Sequence, residues 1–250
     1  MGRKEYWENN YLKYWQERTR GKKEIIKNDA SPADEKIFNF YFKKLNPKPG
    51  EKLLDLGCGF GRFFPIFKKK KVKIFGIDIS ESMIKKAKKD YEKICEELVV
   101  SEAEKLPFQS NYFDKIVCWA IFDALFQDKA LREINRVLKK GGMALITGKN
   151  DNFRDDDQKA RIAEINARKK GHPNYFTDFK KLIENLDKFG FKIQGEHYFE
   201  KRGYFSKNKY SKKIPGFFYE YLIFLKKEGN PKNFYVKISD KFSKTFKRGI

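Results

Sequence analysis

Over the first thirty residues Tyr6, Trp7, Tyr11, Tyr14 and Trp15 fall at spacings of one, three and four, which puts an apolar stripe on an otherwise polar helix. Ser31-Pro32-Ala33-Asp34 then reads as a helix start with proline in the first turn. The helix predicted from it runs through Ile37, Phe38, Phe40, Tyr41 and Phe42 and stops at Asn46-Pro47-Lys48-Pro49-Gly50. From residue 52 short apolar runs alternate with helical periodicity. The pattern predicts strands at 52–56, 73–79, 98–100, 115–119 and 143–147. Between them it predicts helices from about Arg62, over 81–96 on the apolar positions Met83, Ile84, Ala87, Tyr91 and Ile94, and over 129–138. Repeated strand–helix units imply a parallel sheet with helices on both faces. A charged stretch at 150–171 precedes a predicted helix over 177–189 and strands at 191–198 and about 218–225, with a basic, aromatic insertion at 200–217.

Composition narrows the class. With 250 residues and 40% hydrophobic content, the chain suits one α/β domain with additions. No apolar run approaches the roughly eighteen residues of a bilayer span. The opening Met-Gly-Arg-Lys is too polar for a secretory signal, and Tyr6 sits where a myristoylation motif wants Ser or Thr. The expected location is cytoplasmic. Cys58, Cys95 and Cys118 form no CxxC pair, which argues against a disulfide framework or a zinc site, so no metal is expected. The net charge of +22 attracts anions, but the lysines are scattered along the chain rather than gathered into one run.

The chemistry concentrates in Leu54-Asp55-Leu56-Gly57-Cys58-Gly59-Phe60-Gly61-Arg62. A strand ends, three alternating glycines make a tight turn, and a helix begins. Glycines there let backbone amides approach a ligand where a Cβ would collide, and the ligand lies at the carboxyl ends of the strands. A dinucleotide fingerprint needs a small residue where this chain has Arg62. The second strand ends in Gly76-Ile77-Asp78-Ile79-Ser80, where a carboxylate about twenty positions on can accept both ribose hydroxyls.

The D-x-G-x-G-x-G pattern resembles motif I of class I S-adenosylmethionine-dependent methyltransferases. Two further stretches strengthen the likeness. Ser101-Glu102-Ala103-Glu104-Lys105-Leu106-Pro107-Phe108 with Phe113-Asp114-Lys115-Ile116-Val117 looks like the family's G-D-A-E-x-L-P-F…F-D-x-V, with Ser101 and Glu102 replacing its Gly and Asp. Leu131-Arg132-Glu133-Ile134-Asn135-Arg136-Val137-Leu138-Lys139-Lys140-Gly141-Gly142 resembles its L-R-E-x-x-R-V-L-K-P-G-G. The resemblance is close over 50–150. It implies a Rossmann-like, doubly wound α/β fold: a seven-stranded, mostly parallel sheet with an antiparallel last strand and a helical N-terminal cap. It implies S-adenosyl-L-methionine as cofactor and S-adenosyl-L-homocysteine as product. By that match Asp55 helps orient the turn and the cofactor's amino-acid end, and Gly57 and Gly59 lie against its methionine and sugar portions. Glu102 contacts the adenine amino group and the Ala103 backbone the ring edge, with Cys58, Asp78, Ile79, Met83 and Trp119 also in the cofactor-binding set. Residues 1–49 are expected to form a cap or lid, 50–227 the core, and 228–250 a basic tail that packs loosely. Tyr14 or Arg18 of the cap is expected to reach the cofactor's carboxylate.

The expected partner is a small, anionic acceptor. A hydroxyl acceptor benefits from a general base, typically by about 10²–10⁴-fold. His172, in a loop predicted to border the pocket, and Asp123, just beyond the fourth strand, are the candidates. The Tyr-Trp-rich N-terminus resembles methyltransferases of bacterial surface-polysaccharide and capsule pathways, which implies O-methylation of a nucleotide- or phosphate-linked glycan precursor. An RNA or other nucleic-acid methyltransferase is the alternative, supported by charge; no N-P-P-Y motif or nucleic-acid-binding appendage is present in the sequence, so no specific nucleic-acid partner is expected.

Overall fold

A computed structural model describes residues 2–10 and 35–248; Tyr11, Tyr14, Trp15, Arg18 and the predicted start at Ser31–Asp34 lie outside the described residues. Among the described residues the helices are α1 (3–10), α2 (Glu35–Lys44), α3 (Phe64–Lys69), α4 (Glu81–Tyr91), α5 (Gln127–Val137), α6 (Gln158–Lys169), α7 (Phe179–Asn185) and α8 (Lys244–Arg248). The strands are β1 (Lys52–Leu56), β2 (Lys73–Asp78), β3 (Cys95–Val100), β4 (Phe113–Cys118), β5 (Leu138–Lys149), β6 (Phe176–Thr177), β7 (Phe191–Phe199), β8 (Glu220–Lys227) and β9 (Ser239–Asp240).

Seven strands form one sheet in the order β3-β2-β1-β4-β5-β8-β7, parallel except that β8 runs against both β5 and β7. The expected doubly wound sheet with its antiparallel last strand is therefore present. Side chains alternate across a strand, and this chain uses the alternation to fill two cores. Leu54, Phe75, Ile116 and Ile146 face α5 and α7 through Leu131, Ile134, Phe179 and Leu182. Their neighbours Leu53, Ile74, Val117 and Leu145 face α2, α3 and α4 through Phe38, Phe42, Phe67 and Ile84. Strands buried on both faces read as apolar runs, which is why Leu53-Leu54 of β1 and Ile116-Val117-Cys118 of β4 are plain in the sequence.

Several predicted features differ from the structure. The helix expected over 81–96 ends at Tyr91, and β3 takes over at Cys95. The charged 150–171 stretch contains α6, whose buried positions are Ala160 and Glu164 while Ile162 and Ile165 are exposed, so apolar periodicity gives no sign of it. The tail does not pack loosely. β9 pairs with β6, Ser243 donates to Glu164 at 2.6 Å, and Thr245 donates to the Phe153 carbonyl at 2.6 Å. These polar hooks carry no hydrophobic signal. Finally, β5 starts at Leu138, immediately after α5 and five residues before the predicted start at 143, and it takes Gly141-Gly142 into an irregular register against β4.

Candidate active site

A cavity of about 760 Å³ opens at the carboxyl ends of the parallel strands, beside the crevice where β1 is flanked by β2 and β4. That volume suits a ligand of cofactor size together with a small second molecule.

One end is built by the glycine turn. Gly57, Gly59 and Gly61 take φ of 76°, 55° and 82°, in the left-handed region that a side chain disfavours. At Gly57 an added Cβ would also lie 2.9 Å from the Ile121 side chain. The amides of Gly57 and Cys58 both donate to the Ile77 carbonyl at 2.8 Å, which locks the turn onto β2. Asp78 receives the Gly59 amide on Oδ2 and the Ser80 amide on Oδ1, each at 2.9 Å. Its burial raises its pKa against the pull of those amides. Asp55 is buried with Oδ2 lacking a hydrogen-bond partner, and burial together with the nearby Asp78 charge pushes its carboxyl up to about 8. A buried acceptor left unsatisfied is costly, and a cationic group placed in the cavity would satisfy it. Ile79, Glu102 and Ala103 complete this end.

The other end is polar and carries charges of both signs. Beyond β4 the chain turns through Ala120 at φ 59°, a strained conformation for alanine, held by a 2.7 Å bond from its amide to Thr147. This turn delivers Asp123 to Lys149 at the end of β5. The Lys149 ammonium donates to Asp123 Oδ2 at 2.5 Å and to Asn174 Oδ1 at 3.0 Å. Burial works against that ammonium, the Asp123 carboxylate and Tyr219 favour it, and on balance its pKa is raised. Glu220, at the start of β8, is the register partner of Lys149 and is buried with Oε2 lacking a partner. Arg202, Lys170, Phe205, Tyr221 and Trp119 line the same end. Trp119 is held edge-on between Phe38 and Phe205, with ring centres 4.9 and 5.3 Å away.

α1 lies across the cavity. Arg3, Tyr6, Trp7 and Asn10, spaced as one face of a helix, contribute to the lining. The helix is pinned at two points. Arg3 makes a bidentate pair with Glu104, which also accepts the Phe126 amide at 2.7 Å. Glu8 accepts from the Ser80 hydroxyl at 2.7 Å and the Ser82 amide at 3.1 Å, at the N-terminus of α4. His172 packs under this helix, with ring centres 4.9 Å from Trp7 and 5.3 Å from Tyr6. Burial first, and then the Lys149 charge, lower its pKa to about 4 despite Asp123.

Residues 54–146 match the model of a family described as "Methyltransferase domain". This segment holds the glycine turn, Asp78 and the Glu102-Ala103 edge, which are the features that shape the first end of the cavity. Over this segment the chain is similar to methyltransferases. Among curated relatives, an uncharacterised protein of Methanocaldococcus jannaschii is 32% identical over 166 residues, covering 65% of this chain and 64% of the relative. A ubiquinone/menaquinone biosynthesis C-methyltransferase of Bordetella avium is 34% identical over 113 residues, covering 43% and 44%. The chain thus spans between under half and just under two thirds of the length of these relatives. Among solved structures, a TehB-like SAM-dependent methyltransferase from Corynebacterium glutamicum superposes with a TM-score of 0.57 at 20% identity, covering 88% of this chain and 97% of the other. The MccD protein superposes with a TM-score of 0.59 at 20% identity, over 79% and 98%. At that identity the structural likeness concerns the fold.

Of the methyltransferase residues expected from sequence, Asp55, Gly57, Cys58, Gly59, Asp78, Ile79, Glu102, Ala103 and Trp119 line the cavity, as do Asp123 and His172. Met83 is not in the lining. It is fully buried on α4, in the first turn, where its amide donates to the Ser80 hydroxyl at 3.3 Å. Tyr14 and Arg18 lie outside the described residues, and the α1 face nearest the cavity comes from the earlier part of the same aromatic stripe. Sequence reasoning missed Lys149, Arg202 and Glu220. The sole available signal was a charge at the end of one predicted strand and another near the start of a later one. Pairing the two requires the β5–β8 register.

Proposed function

We propose that the chain transfers a methyl group from S-adenosyl-L-methionine to a small acceptor, with S-adenosyl-L-homocysteine as product. The observation that carries this reading is the pairing of a glycine turn at positive φ with the Asp78 carboxylate one strand away, inside a matched methyltransferase domain. The family uses this methyl donor. Asp55, with its unsatisfied Oδ2, and the Gly57–Gly59 turn would hold the donor's cationic amino-acid end; Asp78 would take the ribose and Ala103 with Glu102 the adenine edge. When bound, the donor supplies an electrophilic methyl on a sulfonium.

The protein's own task is then to place a nucleophile in line and to exclude water, and positioning of this kind accounts for a large part of rate enhancement. The α1 helix closes one side of the cavity, which supports the reading of residues 1–49 as a lid. Lys149, Lys170 and Arg202 outnumber Asp123 and Glu220 at the acceptor end, a balance that favours an anionic acceptor. His172, neutral at ordinary pH, and Asp123, the two residues expected from the sequence for proton removal from a hydroxyl, both line this end. O-methylation of a phosphate- or nucleotide-linked sugar, in the cytoplasm, is the finer form of this proposal. A nucleic-acid acceptor is the second reading; it has the chain's charge behind it, but no recognition motif for nucleic acid in the sequence.

The test is release of S-adenosyl-L-homocysteine when the protein is given the donor with sugar phosphates, nucleotide sugars or total RNA in turn. Turnover with a phosphorylated sugar supports the proposal. Turnover confined to RNA overturns the choice of acceptor.

A further inference from the structure

Four facts meet at Glu220. It opens β8 at the register position of Lys149, so its side chain shares the cavity's acceptor end with the Lys149–Asp123 pair. It is 5% exposed, and Oε2 has no hydrogen-bond partner among the described residues. Buried carboxyl oxygens without partners are uncommon, because burial without a bond costs the full desolvation of the group. The two other candidate proton acceptors at this end are poorly suited. Asp123 already accepts from the Lys149 ammonium at 2.5 Å. The His172 imidazole lies edge-on beneath Tyr6 and Trp7 with Nδ1 buried.

We propose that Glu220 takes the proton from a hydroxyl-bearing acceptor held between it and the glycine turn. The proposal rests on the methyl-transfer reading and adds the residue and the acceptor's chemistry. The acceptor oxygen forms a bond to the methyl carbon as the sulfur–methyl bond breaks, and that bond's electron pair goes to sulfur. The hydroxyl proton passes to a Glu220 oxygen and afterwards to solvent. Atoms and charge balance with no further reactant: a sulfonium and a carboxylate become a thioether and a carboxylic acid.

The surroundings suit the task. Glu220 is faced by Arg202 from the 200–217 insertion, Lys149 from β5, Asp123 from the turn after β4 and Asp157 from the segment before α6. Burial raises its pKa, the two cations lower it, the two carboxylates raise it, and the balance stands at about 7. A base poised near the working pH is half ionised and still basic enough to pull. Arg202, Lys149 and Asp123 therefore act as positioning and tuning residues rather than as proton acceptors.

The test has two arms and a control. In cofactor-free protein labelled with glutamate δ-13C, one carboxyl resonance should titrate with a midpoint between pH 6 and 8 and vanish in Glu220→Gln. A Glu220 midpoint below 5 overturns the proposal. In the second arm, glucose 1-phosphate, galactose 1-phosphate and UDP-N-acetylglucosamine serve as acceptors. The expected loss of kcat in Glu220→Gln is about 10²–10⁴-fold, with the rising limb of the pH profile near 7 abolished and partial rescue by Glu220→Asp. Equal rates and an unchanged profile overturn the proposal. Calorimetry with S-adenosyl-L-homocysteine separates the two claims. Binding that is equal in wild type and Glu220→Gln leaves the methyl-transfer reading standing whatever Glu220 does. A wild type that does not bind it takes down both.

Discussion

Lys149 and Asp123 form an ion pair with a nitrogen–oxygen distance of 2.5 Å between the end of β5 and the turn that follows β4. Their side chains are 21% and 10% exposed, so each is largely removed from water and depends on the other. Breaking such a pair from one side leaves an uncompensated charge, whereas removing both sides is far milder. Asp123→Asn should lower stability by about 2–4 kcal/mol, and the double variant Asp123→Asn, Lys149→Met should recover more than half of that. Urea unfolding of the three variants checks it. Equal losses in the single and double variants would show that the pair is not a unit.

Gly57 turns at φ 76° with Ile121 against the position a Cβ would occupy. Gly57→Ala combines left-handed strain of about 1–2 kcal/mol with a collision in the cavity wall. The expected outcome is a loss of S-adenosyl-L-homocysteine affinity of roughly tenfold or more, measured by calorimetry on protein whose thermal transition is still cooperative.

Stability should fall above pH 6.5. The carboxyls of Asp55 and Glu220 are raised to about 8 and about 7 by burial. A carboxyl with a raised folded pKa contributes stability that is fully present below its unfolded value near 4 and is lost as pH rises through the folded value. His172 and His197 are lowered to about 4, also by burial. They contribute stability present above about 6.5 and lost as pH falls toward 4. Between pH 4 and 6.5 the two effects oppose each other; between 6.5 and 8 the carboxyls act alone. Chemical unfolding midpoints across that range should decline in the wild type and flatten in Asp55→Asn and Glu220→Gln. A wild-type curve that is flat or rises from 6.5 to 8 would contradict the raised carboxyls.

The α1 helix is held by Arg3 on Glu104 and by Glu8 on Ser80 and Ser82. Charge-assisted bonds of this kind contribute about 1.5–3 kcal/mol each. Replacing Arg3 and Glu8 together by Ala should speed S-adenosyl-L-homocysteine dissociation roughly ten- to a hundredfold, with the unfolding temperature of the core changed little. Stopped-flow dissociation rates equal to wild type would show that the helix covers the cavity without restraining its contents.

The sheet was legible in the sequence wherever burial on both faces made short apolar runs, as at Leu53-Leu54 and Ile116–Cys118. The glycine turn was legible because glycine at 57, 59 and 61 is a backbone requirement that sequence displays directly. Other parts left no such trace. α6 buries Ala160 and Glu164 and exposes two isoleucines, the reverse of an amphipathic signature. The tail is fastened by Ser243 and Thr245, which look like surface residues until their partners are known. Glu220 and Lys149 lie 71 positions apart and meet only through an antiparallel register that no local pattern encodes. Met83 sits on the cofactor's side of the sequence, but helical phase turns it into the core beneath α4.

The central claim is that this cavity holds an adenosyl cofactor with its ribose on Asp78. It is tested most directly by calorimetric titration of S-adenosyl-L-homocysteine into the wild type and into Asp78→Ala, each checked for folding by circular dichroism. The account predicts one site per chain in the wild type and an affinity weaker by roughly 1.5–3 kcal/mol in the variant. Unchanged affinity in a folded Asp78→Ala protein, or no binding by the wild type, would contradict it.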